Sequence, residues 1–342
     1  MGYAVCFGEV MLRLSPPGYL RLGQSETLEM TFGGAEANVA VSLANFGEPV
    51  RYVTRLPENP IAAAFLRQIR GFGVEVDRIA FGGDRMGTYF VEKGAAMRPS
   101  KVVYDRKHSA IAEAKPGDID WAAALEGADW FHWTGITPAL SDTAAALTLE
   151  GIEAAKARGI PVSCDLNYRK NLWSREKAKE VMSELVRCVD VMIANEEDSK
   201  DVFGISAEGS DVGKGQLSEA GYRALAKRLA AAFGCKKIAF TLRESASAND
   251  NHWSGLLYDA ASDRASVSMK YAIHIVDRVG GGDSFGAGLI YSMRHGADDA
   301  EAIEFAVAAS ALKHTIEGDF NRVSLDEVAA LVGGDASGRV KR

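Results

Sequence analysis

Four times between residues 129 and 245 a short apolar run ends in a polar cluster and then gives way to a helical pattern. Trp130-Phe131-His132-Trp133 precedes Thr134 to Pro138, Pro161 to Cys164 leads into Asp165 to Trp173, Val189 to Ala194 into Asn195 to Asp198, and Lys237 to Leu242 into Arg243-Glu244-Ser245. Strands that alternate with helices return by crossover and lie parallel in a sheet covered on both faces. Such sheets bind their ligands at the carboxyl ends of the strands. The polar clusters fall at those ends. Earlier in the chain, Tyr3 to Gly8 reads as a first strand, and Glu9 to Leu14 continues extended until Pro16-Pro17. Thr27 to Phe32 has a two-residue period, Val50 to Arg55 with a helix over 59–70 forms another β–α unit, and Thr88 to Glu92 and Lys101 to Arg106 read as further strands. The extended segments at 10–32 and 88–106, separated by an α/β unit, fit a small separate sheet.

The sharpest junction lies between Tyr271–Val276, which reads as extended chain, and a helix marked by Phe285, Leu289 and Met293 at four-residue spacing. Gly280, Gly281, Gly282 and then Asp283 stand between them. Glycines permit a tight turn and the close approach of a bulky anion to the backbone. A helix N-terminus adds unpaired N–H groups and a partial positive charge. A bound phosphate would repel Asp283 unless the carboxylate served the chemistry, and the service that fits is taking the proton of a hydroxyl that attacks phosphorus. An Asp after a glycine turn is also an ordinary N-cap, so the turn alone leaves both readings open.

The wider pattern Asp277-x-x-Gly280-x-Gly282-Asp283-x-Phe285-x-x-Gly288 resembles the C-terminal signature of the ribokinase-like (PfkB) carbohydrate kinases, with Gly281 where that family usually has Ala. Gly33-Gly34-Ala35-x-x-Asn38, ahead of a helix with Val39, Leu43 and Phe46 on its apolar face, resembles their N-terminal sugar-binding signature. Phe7-Gly8-Glu9 with Arg13 to Pro17, Tyr104-x-Arg106, Asp165-x-Asn167-Tyr168-Arg169 with Leu172-Trp173, and Lys313-His314-Thr315-Ile316 with Gly318 to Asn321 are similar to the 2-keto-3-deoxygluconate kinase branch.

This resemblance implies a ribokinase-like three-layer α/β/α fold with a mainly parallel central sheet, formed by residues 1–9, 33–87 and 107–335. Residues 10–32 and 88–106 would form a small β-sheet lid over the sugar, and 336–342 a disordered tail. It implies ATP- and Mg²⁺-dependent phosphorylation of the terminal hydroxyl of 2-keto-3-deoxygluconate or its epimer. Asp283 would be the base, the N–H groups of Gly280, Gly281 and Gly282 would stabilise the transferring phosphoryl group, and Arg169 would lie between sugar and phosphates. Gly34, Asn38, Tyr89, Tyr104, Arg106, Arg169, Asp283 and Asp319 would form the sugar site. Asn167, Asn195, Thr241 and Arg243, with Gly280 and Gly282, would hold the nucleotide. The family's Asn-x-x-Glu motif is here Asn195-x-x-Asp198, so Mg²⁺ would be reached through water by Asp198 on a shorter arm, with Glu197 as a neighbouring substitute. Thr241 to Ser245 stands where ribokinases have a glycine-containing turn, which implies a different grip on ATP. Tyr104 and Arg106, two apart on a strand, share a face that suits a carboxylate; the alternative is an ordinary exposed Arg on a lid strand.

The 342 residues carry 39 Lys and Arg against 46 Asp and Glu, a net charge of −7, with no basic tract. Nucleic acid and acidic membrane surfaces are therefore not expected partners, and an anionic sugar acid would need a local cationic pocket. Cys6, Cys164, Cys188 and Cys235 form no CxxC, and no charged leader with an apolar stretch opens the sequence, so a cytoplasmic protein with reduced thiols is expected. The six His residues show no metal-ligand spacing. Gly209 to Gly215 superficially resembles a P-loop but lacks its spacer and its Ser/Thr after Lys, and reads as a mobile loop. The competing readings are a fructokinase- or ribokinase-type kinase of a neutral sugar, a non-catalytic sugar sensor on the same fold, and a dinucleotide oxidoreductase. The last lacks Gly-x-Gly-x-x-Gly after its first strand. The lid sheet is a possible homo-oligomer contact by analogy with the family.

Overall fold

Alternate residues of the first strand serve opposite helical layers. In β1 (Tyr3–Phe7), Ala4 and Cys6 join one apolar cluster while Val5 and Phe7 join another. The same division runs through β9 (Ala128–Thr134), with Trp130 on one side and Phe131 and Trp133 on the other. A two-residue period with both faces apolar is what a sheet sandwiched between helices requires. A computed structural model describes residues 1–336 and 338 apart from residue 196 and residues 207–217. The P-loop-like stretch 209–215 and most of the expected tail lie outside the described residues.

The large sheet adds β4 (Val50–Val53), β10 (Val162–Asp165), β11 (Val191–Ala194), β12 (Lys237–Ser245), β13 (Asp250–Asp259), β14 (Arg264–Val267) and β15 (Tyr271–His274). Its order is β14-β13-β12-β11-β10-β9-β1-β4, with β15 also paired to β13. From β4 to β12 every neighbouring pair is parallel, and the antiparallel pairs are confined to the β13 edge. One layer holds α1 (Ala35–Asn45), α2 (Pro60–Arg70), α8 (Gly281–Arg294), α9 (Asp299–Lys313) and α10 (Leu325–Val332). The other holds α3 (Trp121–Ala124), α4 (Asp142–Ala157), α5 (Arg175–Leu185), α6 (Asp198–Phe203) and α7 (Glu219–Phe233). Polar residues set the helix starts: Ser141, Ser174, Ser218, Asp298 and Ser324 each accept a hydrogen bond from a first-turn N–H.

A separate four-stranded sheet has the order β3-β2-β7-β8, from β2 (Met11–Ser15), β3 (Glu29–Gly33), β7 (Gly87–Glu92) and β8 (Lys101–Asp105). Two short strands, β5 (Arg55–Leu56) and β6 (Ala80–Phe81), pair alongside. Residues 241–245 are not a turn at a strand end: β12 runs on to Ser245 and doubles back as a hairpin with β13, Thr241 facing Gly255 and Arg243 facing Trp253. The strand outlasts its apolar run because the antiparallel partner satisfies its backbone beyond the parallel part of the sheet.

The sheet order reverses between β1 and β9, because β1 leads to β4 on one side while β9 to β12 fill the other. At that switch point Glu36, on the first turn of α1, is fully buried. Its Oε1 accepts from the Thr134 N–H at 3.1 Å and from the Thr134 and Thr137 hydroxyls at 2.8 and 3.0 Å. A Cβ at Gly8 would sit 2.0 Å from its carboxyl carbon, so the glycine ending β1 makes room for it. Glu36 thereby fixes the start of α1, and with it Asn38, over the carboxyl ends of the strands.

Candidate active site

Three consecutive glycines open α8, and each is there for a different reason. Gly280 caps the helix at φ 85°, a left-handed conformation that L residues disfavour, and a Cβ there would meet the Asp319 carbonyl at 2.1 Å. Gly281 is buried, and its Cβ would meet the His314 ring at 2.3 Å. Gly282 is exposed, and nothing lies within 4 Å of where its Cβ would stand. Two of the glycines therefore serve the fold, and the third leaves open the space over the helix N-terminus. Gly282→Val should keep the melting temperature within a few degrees while lowering turnover roughly tenfold or more, by occupying the space an anion would take. Gly280→Ala should instead melt well below wild type. Thermal melts with steady-state rates check both. A fully active Gly282→Val protein would make the turn merely structural.

Asp283 follows on the first turn, with its carboxylate partly open to solvent. Its Oδ2 accepts from Asn38 Nδ2 at 2.6 Å, which joins the two glycine signatures across the cleft. Burial pushes its pKa up to about 6, helped by Asp319, while the Asn38 hydrogen bond, Arg169 and Lys313 pull it down. A carboxylate poised there is ionised at neutral pH yet basic enough to take a proton.

The second sheet supplies one wall. Arg13 of β2, almost wholly buried, holds Asp319 at 2.6 Å and Asp277 at 2.6 Å. Asp277 also accepts from the Val279 N–H at 3.1 Å and the Gly318 N–H at 3.2 Å, so the first residue of the signature organises the turn rather than doing chemistry. Asp319 is further bonded by the Tyr89 hydroxyl, and the absent Cβ of Gly33 is what admits it, since that atom would lie 1.9 Å from Asp319 Oδ2. Tyr89 stacks on Tyr104, ring centroids 6.0 Å apart, and the Arg106 guanidinium lies over the Tyr104 ring at 5.2 Å. Arg106 is not an exposed lid arginine. It is buried against Glu9, which also accepts from Ser109 Oγ at 2.9 Å, and its buried Nε has no hydrogen-bond partner. The strand itself ends at Asp105, one residue before Arg106.

The opposite wall comes from the ends of β10, β11 and β12. Asn167 stands at φ 43° and its N–H donates to Asp165 at 3.1 Å. Both Asp198 oxygens accept backbone N–H groups, from Tyr168 at 3.2 Å and Asn195 at 3.1 Å. Burial raises the pKa of Asp165 well above its ordinary value, with Asp198 and Asp283 adding to the shift and Arg169 opposing it. Burial likewise raises Asp198. On the hairpin side, Arg278 donates to the Ala248 carbonyl at 2.8 Å, and burial with the neighbouring Arg243 charge lowers its pKa. Two guanidiniums set beside one another suit a polyanion.

These groups line one cleft of about 410 Å³. It gathers Gly34, Asn38, Tyr89, Tyr104, Arg106, Asn167, Arg169, Asn195, Asp198, Thr241, Arg243, Gly280, Gly282, Asp283 and Asp319. Two of the expected residues stand apart. Gly281 is packed on His314, and exposed Glu197 lines an adjoining cavity with Lys170, Arg175 and Lys200.

A model of the pfkB family carbohydrate kinases matches residues 1–322. The chain belongs to that family. Among solved structures, the kinase is similar to 2-dehydro-3-deoxygluconokinase of Thermotoga maritima, 48% identical with a TM-score of 0.93 over 98% of this chain and 100% of that one. It is also similar to a putative 2-keto-3-deoxygluconate kinase of Enterococcus faecalis, 28% identical with a TM-score of 0.91 over 100% and 99%. Among curated proteins it is 33% identical to 2-dehydro-3-deoxygalactonokinase of Haloferax volcanii over 97% of each chain. The ribokinase-like α/β fold read from the sequence is thus the fold of this kinase.

Sequence reasoning gave no role to Glu9, Arg13, Glu36, Asp165, Arg278 or Lys313 in this kinase. Arg13 carried the clearest signal, a charge within the apolar run Met11-Leu12-Arg13-Leu14. Its two partners lie 264 and 306 residues away, which no local pattern reveals.

Proposed function

We propose that the kinase transfers the γ-phosphoryl group of ATP to the terminal hydroxyl of 2-keto-3-deoxygluconate or its galactonate-derived epimer. The observation that carries this reading is the position of Asp283. It sits on the first turn of α8 beside the open space at Gly282, facing a wall that bears Tyr89, Tyr104 and Arg106. A sugar acid whose carboxylate meets Tyr104 and the Arg106 guanidinium would turn its far hydroxyl toward Asp283. Asp283 then takes the hydroxyl proton as the oxygen attacks phosphorus, and the N–H groups of 280–283 receive the charge that develops on the phosphoryl oxygens. Arg169 lies in the field of Asp165, Asp198 and Asp283, placed to screen them from the polyphosphate. Arg243 and Arg278 supply positive charge on the hairpin side, where the nucleotide would lie.

Mg²⁺ fits the donor set only at one remove. Among the described residues no group of three or more His, Cys, Asp or Glu is arranged to hold a metal ion directly, and both Asp198 oxygens already accept N–H groups. The buried carboxylates of Asp165 and Asp198 nonetheless call for positive charge, and oxygen-only ligation through water suits Mg²⁺. When bound with ATP the ion would neutralise phosphate charge. Asp198 and Asp165 would hold it through water, and Glu197 would face the adjoining cavity rather than the ion.

In this reading residues 10–32 and 88–106 act as a lid over the sugar and the remainder as the core. Met30, Leu14, Phe90 and Val103 form a row across the lid's four strands on the face opposite Arg13, Tyr89 and Tyr104, with Met30 and Val103 exposed. That row suits contact with a second copy of the chain. The four cysteines are free, and no helix among the described residues is long and apolar enough to cross a membrane.

The pH dependence tests the base directly. The base acts as carboxylate, so kcat/KM should fall as pH drops through about 6, the raised value of Asp283. A profile of kcat/KM from pH 4.5 to 8 checks this, with the acid limb absent in an Asp283→Asn protein. A profile that stays flat down to pH 4.5, as a limb at the unperturbed value of 3.8 would leave it, would remove Asp283 from the role.

A further inference from the structure

We propose that Lys313 is a positioning residue of phosphoryl transfer, a cation built into the chain that clamps the two segments framing the phosphate turn. The inference rests on the kinase reading above and assigns a task to a residue which that mechanism leaves idle. Lys313 ends α9 and its side chain is fully buried. Its partners are carbonyl oxygens rather than a carboxylate: Nζ donates to the Ile316 carbonyl at 3.2 Å and to the Asp277 carbonyl at 3.5 Å. Ile316 precedes Gly318 and Asp319, and Asp277 precedes the glycine turn. One ammonium therefore joins the backbone of both segments at their origin.

The ammonium also lies against the turn itself. A Cβ at Gly280 would be 3.0 Å from Lys313 Cε. Burying an ammonium costs several kcal/mol of hydration, so an apolar residue would serve mere packing better. The groups that face it are Asp277, Asp319 and Asp283, which favour its charge, and Arg13, which opposes it. Burial is the largest influence and lowers its pKa, and the three carboxylates oppose that shift. That charge has a visible target, since Lys313 is one of the groups that lower the pKa of Asp283. The clamp thus aims the N–H groups of the turn and keeps the base ionised. Loss of the ammonium would relax the turn and raise the acid limb together.

Two variants separate this role from packing. Lys313→Met keeps the volume and removes the charge. Its kcat should fall about tenfold or more with the sugar KM changed by less than about threefold, and its acid limb should move upward. Lys313→Ala leaves a cavity lined by the same carbonyls, and small monovalent cations should partly refill it. At constant ionic strength, potassium or ammonium should raise both the kcat and the ligand-free melting temperature of Lys313→Ala, but neither in wild type or Lys313→Met. A folded Lys313→Met protein with wild-type kcat and an unmoved acid limb would overturn the proposal. So would a Lys313→Ala protein whose melting temperature and kcat ignore the cation. Should neither variant fold, wild type decides: indifference of its kcat and melting temperature to the cation supports a built-in charge, and a potassium requirement overturns it. The melts need no turnover, so they report on Lys313 even if the protein phosphorylates no sugar acid.

Discussion

Asp283→Asn should lower kcat by roughly 10²–10⁴-fold while leaving nucleotide affinity nearly unchanged. The amide keeps the size and polarity of the side chain and can still accept from Asn38, but it cannot take a proton. Instability will not explain the loss. Asp283 has a pKa raised from 3.8 to about 6 in the folded protein, so folding binds its proton more tightly. Its stabilising contribution is therefore fully present below the unfolded value and lost as pH rises through about 6. At neutral pH the native carboxylate is a cost to the fold, and Asp283→Asn should melt at the same temperature as wild type or above it. Calorimetry beside steady-state kinetics checks both halves. Near-wild-type turnover in the Asn variant would leave the reaction without its base.

The second large effect concerns the acid end of the substrate. A charge-assisted hydrogen bond of roughly 1.5–3 kcal/mol corresponds to a drop of about 10- to 150-fold in kcat/KM for 2-keto-3-deoxygluconate on Arg106→Leu. The structure adds a complication, because Arg106 is buried against Glu9. Arg106→Leu alone strands a buried carboxylate, at roughly 3–5 kcal/mol, and should melt well below wild type. The double variant Glu9→Gln/Arg106→Leu removes the stranded charge and should recover much of that stability without recovering the sugar acid. Weak turnover of fructose, which has no carboxylate, should be roughly unaffected in the stable double variant. Equal losses on acid and neutral sugar would make Arg106 a prop for the second sheet rather than a reader of charge.

The layered fold was legible because apolar periods are local. Residues such as Trp130, Phe131 and Trp133 announce a doubly covered strand within one short run. The glycine turn was legible too, since Gly280 to Asp283 are consecutive. Its three glycines looked equivalent, however, and only tertiary neighbours separate them: the Asp319 carbonyl, the His314 ring and open space. Residues 241–245 read as a turn rather than as strand because the antiparallel partner that satisfies their backbone is invisible in a local stretch the sequence shows only as polar. Ion pairs were the least visible layer. Glu9, Arg13, Asp277 and Lys313 stand in the motifs that resemble the family, but the sequence gives them no individual task, which comes from partners brought together by topology.

Phosphoryl transfer to a keto-deoxy sugar acid is tested most directly by ATP turnover on one protein preparation with 2-keto-3-deoxygluconate, its galactonate-derived epimer, fructose and ribose. The expected result is Mg²⁺-dependent turnover with kcat/KM for at least one of the two acids exceeding that for either neutral sugar by about 10- to 150-fold or more, the value of one carboxylate contact. Equal or better turnover of fructose or ribose, or no phosphorylation of either acid, would contradict it.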